Sequence, residues 1–89
     1  MIHELKTHPQ YFSVIFSGLK RFEIRKNDRN YQLRDELILK EFVPKGFYED
    51  GANDEQYTGR ILHRRIDYIL HGGKFGIEEG YCVMSLSSI

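Results

Sequence analysis

The chain has 89 residues, of which 40% are hydrophobic and 29% charged, a composition that suits one compact domain over residues 1–89 and excludes intrinsic disorder. Thirteen Lys and Arg residues balance thirteen Asp and Glu residues, so a globally basic nucleic-acid binder is not expected. The chain is too short for a doubly wound or barrel enzyme of the usual size.

The first residues of the chain predict neither export nor membrane insertion. Met1 is followed by His3, Glu4 and Lys6, where a signal peptide would have an apolar core. Apolar runs such as Val14-Ile15-Phe16 fall far below the roughly 18 residues of a membrane span. We therefore expect a cytoplasmic protein with no membrane association.

The chain is expected to begin with a strand over residues 2–6, followed by a helix. Thr7 and Gln10 have the spacing of a reciprocal capping pair, and Pro9 suits the first turn of a helix. The helix should run for about ten residues and end at Gly18, because glycine enters the left-handed conformation without steric cost. Its apolar face, spaced at i, i+3 and i+4, consists of Phe12, Ile15 and Phe16.

Residues 20–26 change to a period of two, which is typical of a strand. Phe22 and Ile24 share one side of this strand. The other side carries the charged residues Arg21, Glu23 and Arg25.

Three further strands are predicted over residues 36–43, 57–70 and 81–86. Residues 44–56 contain Pro, Gly and acidic residues and indicate a long exposed loop or a frayed hairpin. The apolar sides of the last two strands are expected to comprise Leu62, Ile66, Tyr68 and Leu70, and then Cys82, Met84 and Leu86.

One helix and about five strands favour a mainly β or α+β fold. We predict a small β-barrel of about five to six strands, with the N-terminal helix packed beside it. Closure would remove the exposed edges that endanger short strands. An open α+β sheet is the alternative.

The densest group of functional side chains lies over residues 17–25. Lys20 follows the predicted helix end at Gly18 and precedes the strand. Glu23 and Arg25 lie on one face of that strand, about 7 Å apart. The two cations suit a phosphate or a polarised carbonyl, while the carboxylate can hold the Arg or accept from a base edge. A solvated strand face with an ordinary ion pair is the alternative interpretation.

A second candidate site is the turn over residues 71–76, in which three of six residues are glycines, namely Gly72, Gly73 and Gly76. Consecutive N–H groups in such a segment can cradle an anion. If this turn lies beside the motif, Lys74 and Phe75 would supply charge and a stacking surface. A plain turn between two strands is the alternative.

The sequence predicts neither a metal nor a cofactor. The four histidines are scattered, and no pair has the i, i+4 spacing of a helical zinc site. Cys82 has no thiol partner and is expected to be a small core residue. A Cys–His nucleophile is not favoured by any spacing.

Charge is segregated along the chain even though the total is zero. Residues 20–34 carry six cations and two anions, a local charge of +4. Residues 41–55 carry five anions and one cation, a local charge of −4. Such charged blocks affect the binding of partners more than they affect the fold. The acidic loop, residues 47–56, is a candidate for protein interaction.

The spacing Gly18-x-Lys20-x-x-Glu23-x-Arg25 resembles the G-x-K-x-x-E-x-R signature of the ASCH domain, a branch of the PUA-like superfamily. The whole chain is similar to short, stand-alone ASCH-like proteins of unknown function from bacteria and their phages. The resemblance covers residues 2–86, although residues 47–56 are not distinctive. The other segments that carry it are His3-Glu4-Leu5-Lys6, Phe22-Glu23-Ile24-Arg25-Lys26-Asn27-Asp28, Tyr68-Ile69-Leu70, Gly72-Gly73, Phe75-Gly76, Gly80-Tyr81 and Val83-Met84-Ser85.

This resemblance implies a PUA-like barrel whose groove is lined by Lys20, Glu23 and Arg25. The superfamily is associated with binding of RNA or modified nucleotides. One ASCH branch hydrolyses the acetyl amide of N4-acetylcytidine with a Lys, a Thr and a Glu. Its Lys corresponds to Lys20, but Glu23 occupies the Thr position, and Glu78 or Glu79 would have to supply the late carboxylate.

Three functions are therefore expected in order of preference. The first is binding of RNA or a nucleotide-like small molecule around the motif. The second is a small amidohydrolase in which Lys20 and Glu23 act on an acylated nucleoside. The third is a protein-interaction module that uses residues 49–55.

Overall fold

The computed structural model describes residues 1–47 and 55–89. The helix and the five strands predicted from the sequence are present in the predicted order. In chain order the elements are β1 (Ile2–Thr7), α1 (Pro9–Phe16), β2 (Phe22–Lys26), β3 (Glu36–Val43), β4 (Gln56–His71) and β5 (Tyr81–Ser88).

The five strands form one sheet in the order β1-β3-β4-β5-β2. β1 pairs with β3 in parallel, and the other three pairings are antiparallel. The sheet curls into a half-barrel whose two edge strands are β1 and β2. The predicted mainly β fold is therefore confirmed. The predicted closed barrel is not found in the part of the chain that the structure describes, because the sheet order there leaves β1 and β2 as edge strands.

The core lies inside the curl and is built from the central strands. β3 contributes Leu37 and Leu39, and β4 contributes Ile66. The side chains of Cys82, Met84 and Leu86 are buried, which confirms the predicted apolar side of β5. Burial raises the pKa of the Cys82 thiol, so this residue is an apolar core component rather than a thiolate.

The predicted apolar side of β4 is wrong beyond residue 66. Ile66 pairs with Leu86 but Tyr68 pairs with Ser85, which leaves Asp67 as a bulge. One extra residue moves every later side chain to the opposite face of a strand. Tyr68 is consequently 62% exposed, and Ile69 packs against the core in its place.

The helix begins differently from the prediction. β1 continues through Thr7, whose side chain is buried, so Thr7 does not cap the helix. His8 occupies the N-cap position without a side-chain hydrogen bond, and Pro9 is the first helical residue. The helix has eight residues, too few to cross a membrane, and buries Phe12 and Ile15 while Phe16 stays exposed.

A buried polar cluster ties β1 to the segment before β3. His3 Nε2 lies 2.8 Å from Asp35 Oδ2, the Gln32 N–H donates to the same oxygen, and the Met1 ammonium donates to Oδ1. The His3 ring meets the edge of the Tyr31 ring at 4.8 Å. Burial raises the pKa of Tyr31, and this effect outweighs the opposing charges of nearby arginines.

Glycine N–H groups of the turn between β4 and β5 form hydrogen bonds with nearby backbone carbonyls. The Gly72 N–H donates to the Tyr81 carbonyl and the Gly73 N–H to the Ile77 carbonyl, both at 2.8 Å. A Cβ on Gly72 would lie 2.0 Å from the Glu78 carbonyl oxygen. Glycine is therefore required at position 72 by close backbone approach, and two of the amides that could cradle an anion are engaged inside the turn.

We predict that Gly72→Ala lowers the free energy of unfolding by about 3 kcal/mol or more, because the new methyl group overlaps backbone that cannot move independently. Gly76→Ala is the comparison, since a Cβ at Gly76 has no atom within 4 Å. This substitution destabilises the protein only through the backbone strain of a non-glycine residue at positive φ. Urea unfolding of both variants checks this. Equal losses would contradict the close approach.

The Asp35 carboxylate makes the free energy of unfolding depend on pH in the acidic range. Burial by itself raises the pKa of Asp35, but the hydrogen bonds from His3, the Met1 ammonium and the Gln32 N–H outweigh it and lower the pKa below its ordinary value. The folded state therefore prefers the carboxylate, and this contribution is complete above the ordinary pKa and is lost as the pH falls through the folded value.

We accordingly expect wild-type protein to lose stability relative to Asp35→Asn as the pH is lowered from about 6 to about 2. Urea midpoints measured across this range give the difference between the two proteins. Asp67→Asn, which changes an exposed carboxylate, should follow the wild-type profile. Parallel profiles for wild type and Asp35→Asn would show that the carboxylate contributes nothing.

Candidate ligand-binding site

We call the gap between the edge strands β1 and β2 the seam. Two arginines reach across it to β1, Arg25 from β2 and Arg29 from the segment that follows β2. Arg25 Nη2 donates to the Lys6 carbonyl at 2.8 Å and to Thr7 Oγ1 at 3.4 Å. Arg29 Nη1 donates to the Glu4 carbonyl at 2.9 Å. An edge strand presents unpaired carbonyl groups, and here guanidinium groups satisfy two of those on β1.

The charged side of β2 faces inward, and its apolar side faces outward. Glu23 is only 3% exposed, whereas Phe22 and Ile24 are 42% and 55% exposed. β2 pairs with β5 such that Glu23 lies beside Met84 and Arg25 beside Cys82, both core residues. The alternation predicted for this strand is confirmed over residues 22–26, and tertiary structure places Glu23 and Arg25 on the side that faces the core. Arg21, predicted on the same side, precedes the strand and is exposed.

Lys20 is held in place by the end of the helix. Ser17 is the C-cap, and Gly18 follows with a φ of 83°, the left-handed conformation that the sequence predicted. The Lys20 N–H then donates to the Val14 carbonyl at 2.9 Å. The side chain leaves this turn towards β2, where its Nζ donates to the Phe22 carbonyl at 2.9 Å.

The carboxylate of Glu23 joins the two cations of the motif. Its Oε1 accepts from Lys20 Nζ and its Oε2 accepts from Arg25 Nε, each at 2.8 Å. Desolvation of a carboxylate is costly unless it is paired and hydrogen-bonded, and Glu23 has both kinds of compensation. Lys20, Glu23 and Arg25 therefore form one connected group, which we call the motif triad.

The motif triad lines a pocket of about 390 Å³, which we call the motif pocket. This volume lies in the range of sites for small organic ligands. Lys20 Nζ lies 5.6 Å from the centroid of the Tyr11 ring and 4.8 Å from that of Phe22, so two aromatic rings accompany the triad. The lining residues are Lys6, Thr7, His8, Tyr11, Lys20, Phe22, Glu23, Ile24 and Arg25.

The two cations keep donors beyond those used inside the protein. Among the described residues, Lys20 Nζ donates two hydrogen bonds, and an ammonium has three N–H groups. Arg25 donates through Nε and Nη2, while its Nη1 has no partner in the described ranges. The motif pocket can therefore offer hydrogen bonds from both cations to an anionic or carbonyl-bearing ligand.

The structure brings Lys20, Glu23 and Arg25 together as predicted and does not bring the glycine-rich turn to them. Gly18 sets the turn before Lys20 without lining the motif pocket. Lys74 and Phe75, predicted to oppose the motif, are exposed and lie outside the lining. The turn residues Gly72, Gly73 and Gly76 lie outside it as well.

Sequence reasoning missed the contribution of the junction between β1 and α1. Thr7, His8 and Tyr11 line the motif pocket, and the rings of His8 and Tyr11 stack with centroids 6.5 Å apart. The i, i+3 spacing of these two residues at the helix start was the available signal. Because Thr7 belongs to the edge strand β1, its position beside Arg25 depends on the curl of the sheet.

Metal binding and the acidic loop are the two remaining points raised by the sequence. Across residues 1–47 and 55–89, His, Cys, Asp and Glu side chains form no group of three that could hold a metal ion. Most of the acidic loop falls on residues 48–54, which lie outside the described residues.

We predict that Glu23→Gln lowers the free energy of unfolding by about 1–3 kcal/mol, because an amide cannot accept from both cations and leaves a buried donor opposed to one of them. Thermal or urea unfolding measures the change. Glu79→Gln, which replaces an exposed carboxylate of the β4–β5 turn, is the matched control and should be close to neutral. A neutral Glu23→Gln would contradict the central role of this carboxylate.

Comparison with known proteins identifies the family. An uncharacterized 12.9 kDa protein in the GpA 3′ region of Escherichia phage P2 is 45% identical to this chain over 65 residues. The aligned part covers 73% of this chain and 50% of that relative, so the chain matches half of the relative's length. Residues 2–86 match the model of the family described as domain of unknown function DUF3850, and the chain therefore belongs to that family.

Proposed function

We propose that this protein binds a nucleotide, either free or as part of an RNA, in the motif pocket. The observation that carries the proposal is the convergence of Lys20, Glu23 and Arg25 in one cavity that also contains two aromatic rings. A nucleotide combines an anionic phosphate with a planar base. The motif pocket offers a partner of the right chemistry for each part.

The charge of the motif pocket suits a phosphate. Lys6, Lys20 and Arg25 line it, and Glu23 is its one lining carboxylate among the described residues. A guanidinium and an ammonium together give directional and point-charge contacts to phosphate oxygens. The motif pocket therefore has an excess of positive charge within a chain whose net charge is zero.

The aromatic side chains suit a base. Tyr11 is half-exposed on α1, and Phe22 is 42% exposed at the start of β2, so both rings present surface to a ligand. Stacking of a base on an aromatic side chain contributes about 1–3 kcal/mol. The Glu23 carboxylate has more lone pairs than its two hydrogen bonds use, so it can also accept from an amino group of a base.

The resemblance of the motif to the ASCH signature supports this proposal. A PUA-like assignment, with its association with RNA and modified nucleotides, agrees with a curled β-sheet that carries the motif beside a short helix. In this proposal the signature residues have two functions, since the motif triad both stabilises the seam and contacts the ligand.

One observation favours a second candidate function, hydrolysis of an acylated nucleoside. Thr7 lines the motif pocket together with Lys20 and Glu23, so a hydroxyl, an ammonium and a carboxylate share one cavity. The hydroxyl comes from β1 rather than from position 23. Glu78 and Glu79 lie outside the lining and supply no late carboxylate to the motif pocket.

We expect nucleoside monophosphates to bind the wild-type protein, as measured by isothermal titration calorimetry with AMP, CMP, GMP and UMP. Lys20→Ala should abolish measurable binding because it removes the ammonium, and Tyr11→Leu should weaken binding about tenfold or more through lost stacking. Lys74→Ala, a cation outside the motif pocket, is the control. The slope of log K against log salt should be shallower than about −4, because few phosphates are neutralised.

The same preparations separate binding from catalysis. N4-acetylcytidine is incubated with wild type, Thr7→Val and Lys20→Ala, and release of acetate is followed. Turnover that disappears in both variants would establish the hydrolase. Nucleotide binding without turnover would establish the binding function, and absence of both would contradict the proposed role of the motif pocket.

A further inference from the structure

A second cleft adjoins the motif pocket across the seam. It has a volume of about 490 Å³, and we call it the flanking cleft. Lys6 and Arg25 line both cavities, so the two cavities adjoin at these residues. The lining residues of the flanking cleft are Glu4, Leu5, Lys6, Arg25, Arg29, Lys40 and Tyr57.

The flanking cleft is strongly cationic. Arg29 and Lys40 add to the two shared cations, and Glu4 is the one carboxylate among its lining residues in the described ranges. Lys40 Nζ lies 3.9 Å from Glu4 Oε1, and both side chains are partly exposed, so this ion pair is weak. The Lys40 ammonium is therefore available to an anionic ligand.

An aromatic ring lies beside this charge, as it does in the motif pocket. Tyr57 on β4 is 48% exposed, and Lys40 Nζ lies 4.7 Å from the centroid of its ring. The Phe42 ring supports Tyr57 from one side at 5.1 Å. Cations interleaved with exposed aromatic rings are the combination that binds single-stranded nucleic acid.

We infer that the ligand is a single-stranded polynucleotide that crosses the seam. This inference rests on the proposed function and names its ligand class. One nucleotide occupies the motif pocket, and the phosphate and base of its neighbour occupy the flanking cleft. Lys6 and Arg25 lie between the two cavities, at the position of the phosphate that links the two nucleotides. A mononucleotide would leave Arg29, Lys40 and Tyr57 without a ligand.

Two substitutions with opposite effects test the inference. Fluorescence anisotropy competition compares UMP with the hexanucleotides rU6 and dT6, which distinguish RNA from DNA. We expect rU6 or dT6 to bind wild type at least about tenfold more tightly than UMP. Lys40→Gln should weaken hexanucleotide binding about threefold to tenfold and make the salt slope shallower, because one phosphate contact is lost.

Glu4→Gln should strengthen hexanucleotide binding about twofold to fivefold, because it removes the carboxylate of the flanking cleft. Its backbone carbonyl still accepts from Arg29, so the seam is unchanged. Neither substitution should alter UMP binding. Lys26→Gln, which removes a cation on β2 outside both cavities, is the matched control.

The outcomes separate this inference from the proposed function. The inference would be overturned, and the proposed function would stand, if UMP binds but the hexanucleotides bind no more tightly than UMP. The same conclusion would follow if Lys40→Gln and Glu4→Gln left hexanucleotide binding unchanged. Binding of neither UMP nor the hexanucleotides would overturn both.

Discussion

The rest of the structure depends on the contacts that the buried carboxylate of Glu23 makes. It lies at the edge strand β2 and fixes the side chains of Lys20 and Arg25 through one hydrogen bond to each of its oxygens. Arg25, held in this way, reaches the Lys6 carbonyl on the opposite edge strand. Side chains therefore connect the two edges of the half-barrel where backbone pairing is missing, through hydrogen bonds from guanidinium groups to carbonyls of β1 rather than through a ladder.

This arrangement explains why the cavity lies where it does. An extended arginine side chain is longer than the roughly 4.8 Å between paired strands, so bridging the edges with such side chains leaves space that a backbone ladder would fill. The space is lined by the same groups that stabilise the seam. Ligand affinity and protein stability are therefore coupled, since a ligand that contacts Lys20 or Arg25 also affects the strength of the contact between β1 and β2.

The family assignment adds no activity, because the family is described as a domain of unknown function and the phage P2 relative as uncharacterized. The chemistry of the seam is therefore the ground for the functional proposal. Two adjoining cavities share Lys6 and Arg25, and each contains aromatic surface beside positive charge. That repetition, within a chain of zero net charge, favours a short and local contact with nucleic acid over a broad electrostatic surface.

Local patterns in the sequence determined the order and nature of the elements, the left-handed Gly18 that follows the helix, and the sharing of one strand face by Glu23 and Arg25. Periodicity and backbone preference act over a few residues and are therefore visible in the sequence. Only the tertiary structure decided which face of β2 is buried, since that depends on β5 and on the distant strand β1. The bulge at Asp67 and the arrival of Thr7 and Tyr11 at the motif pocket likewise depend on register and curl, which join residues far apart in the chain.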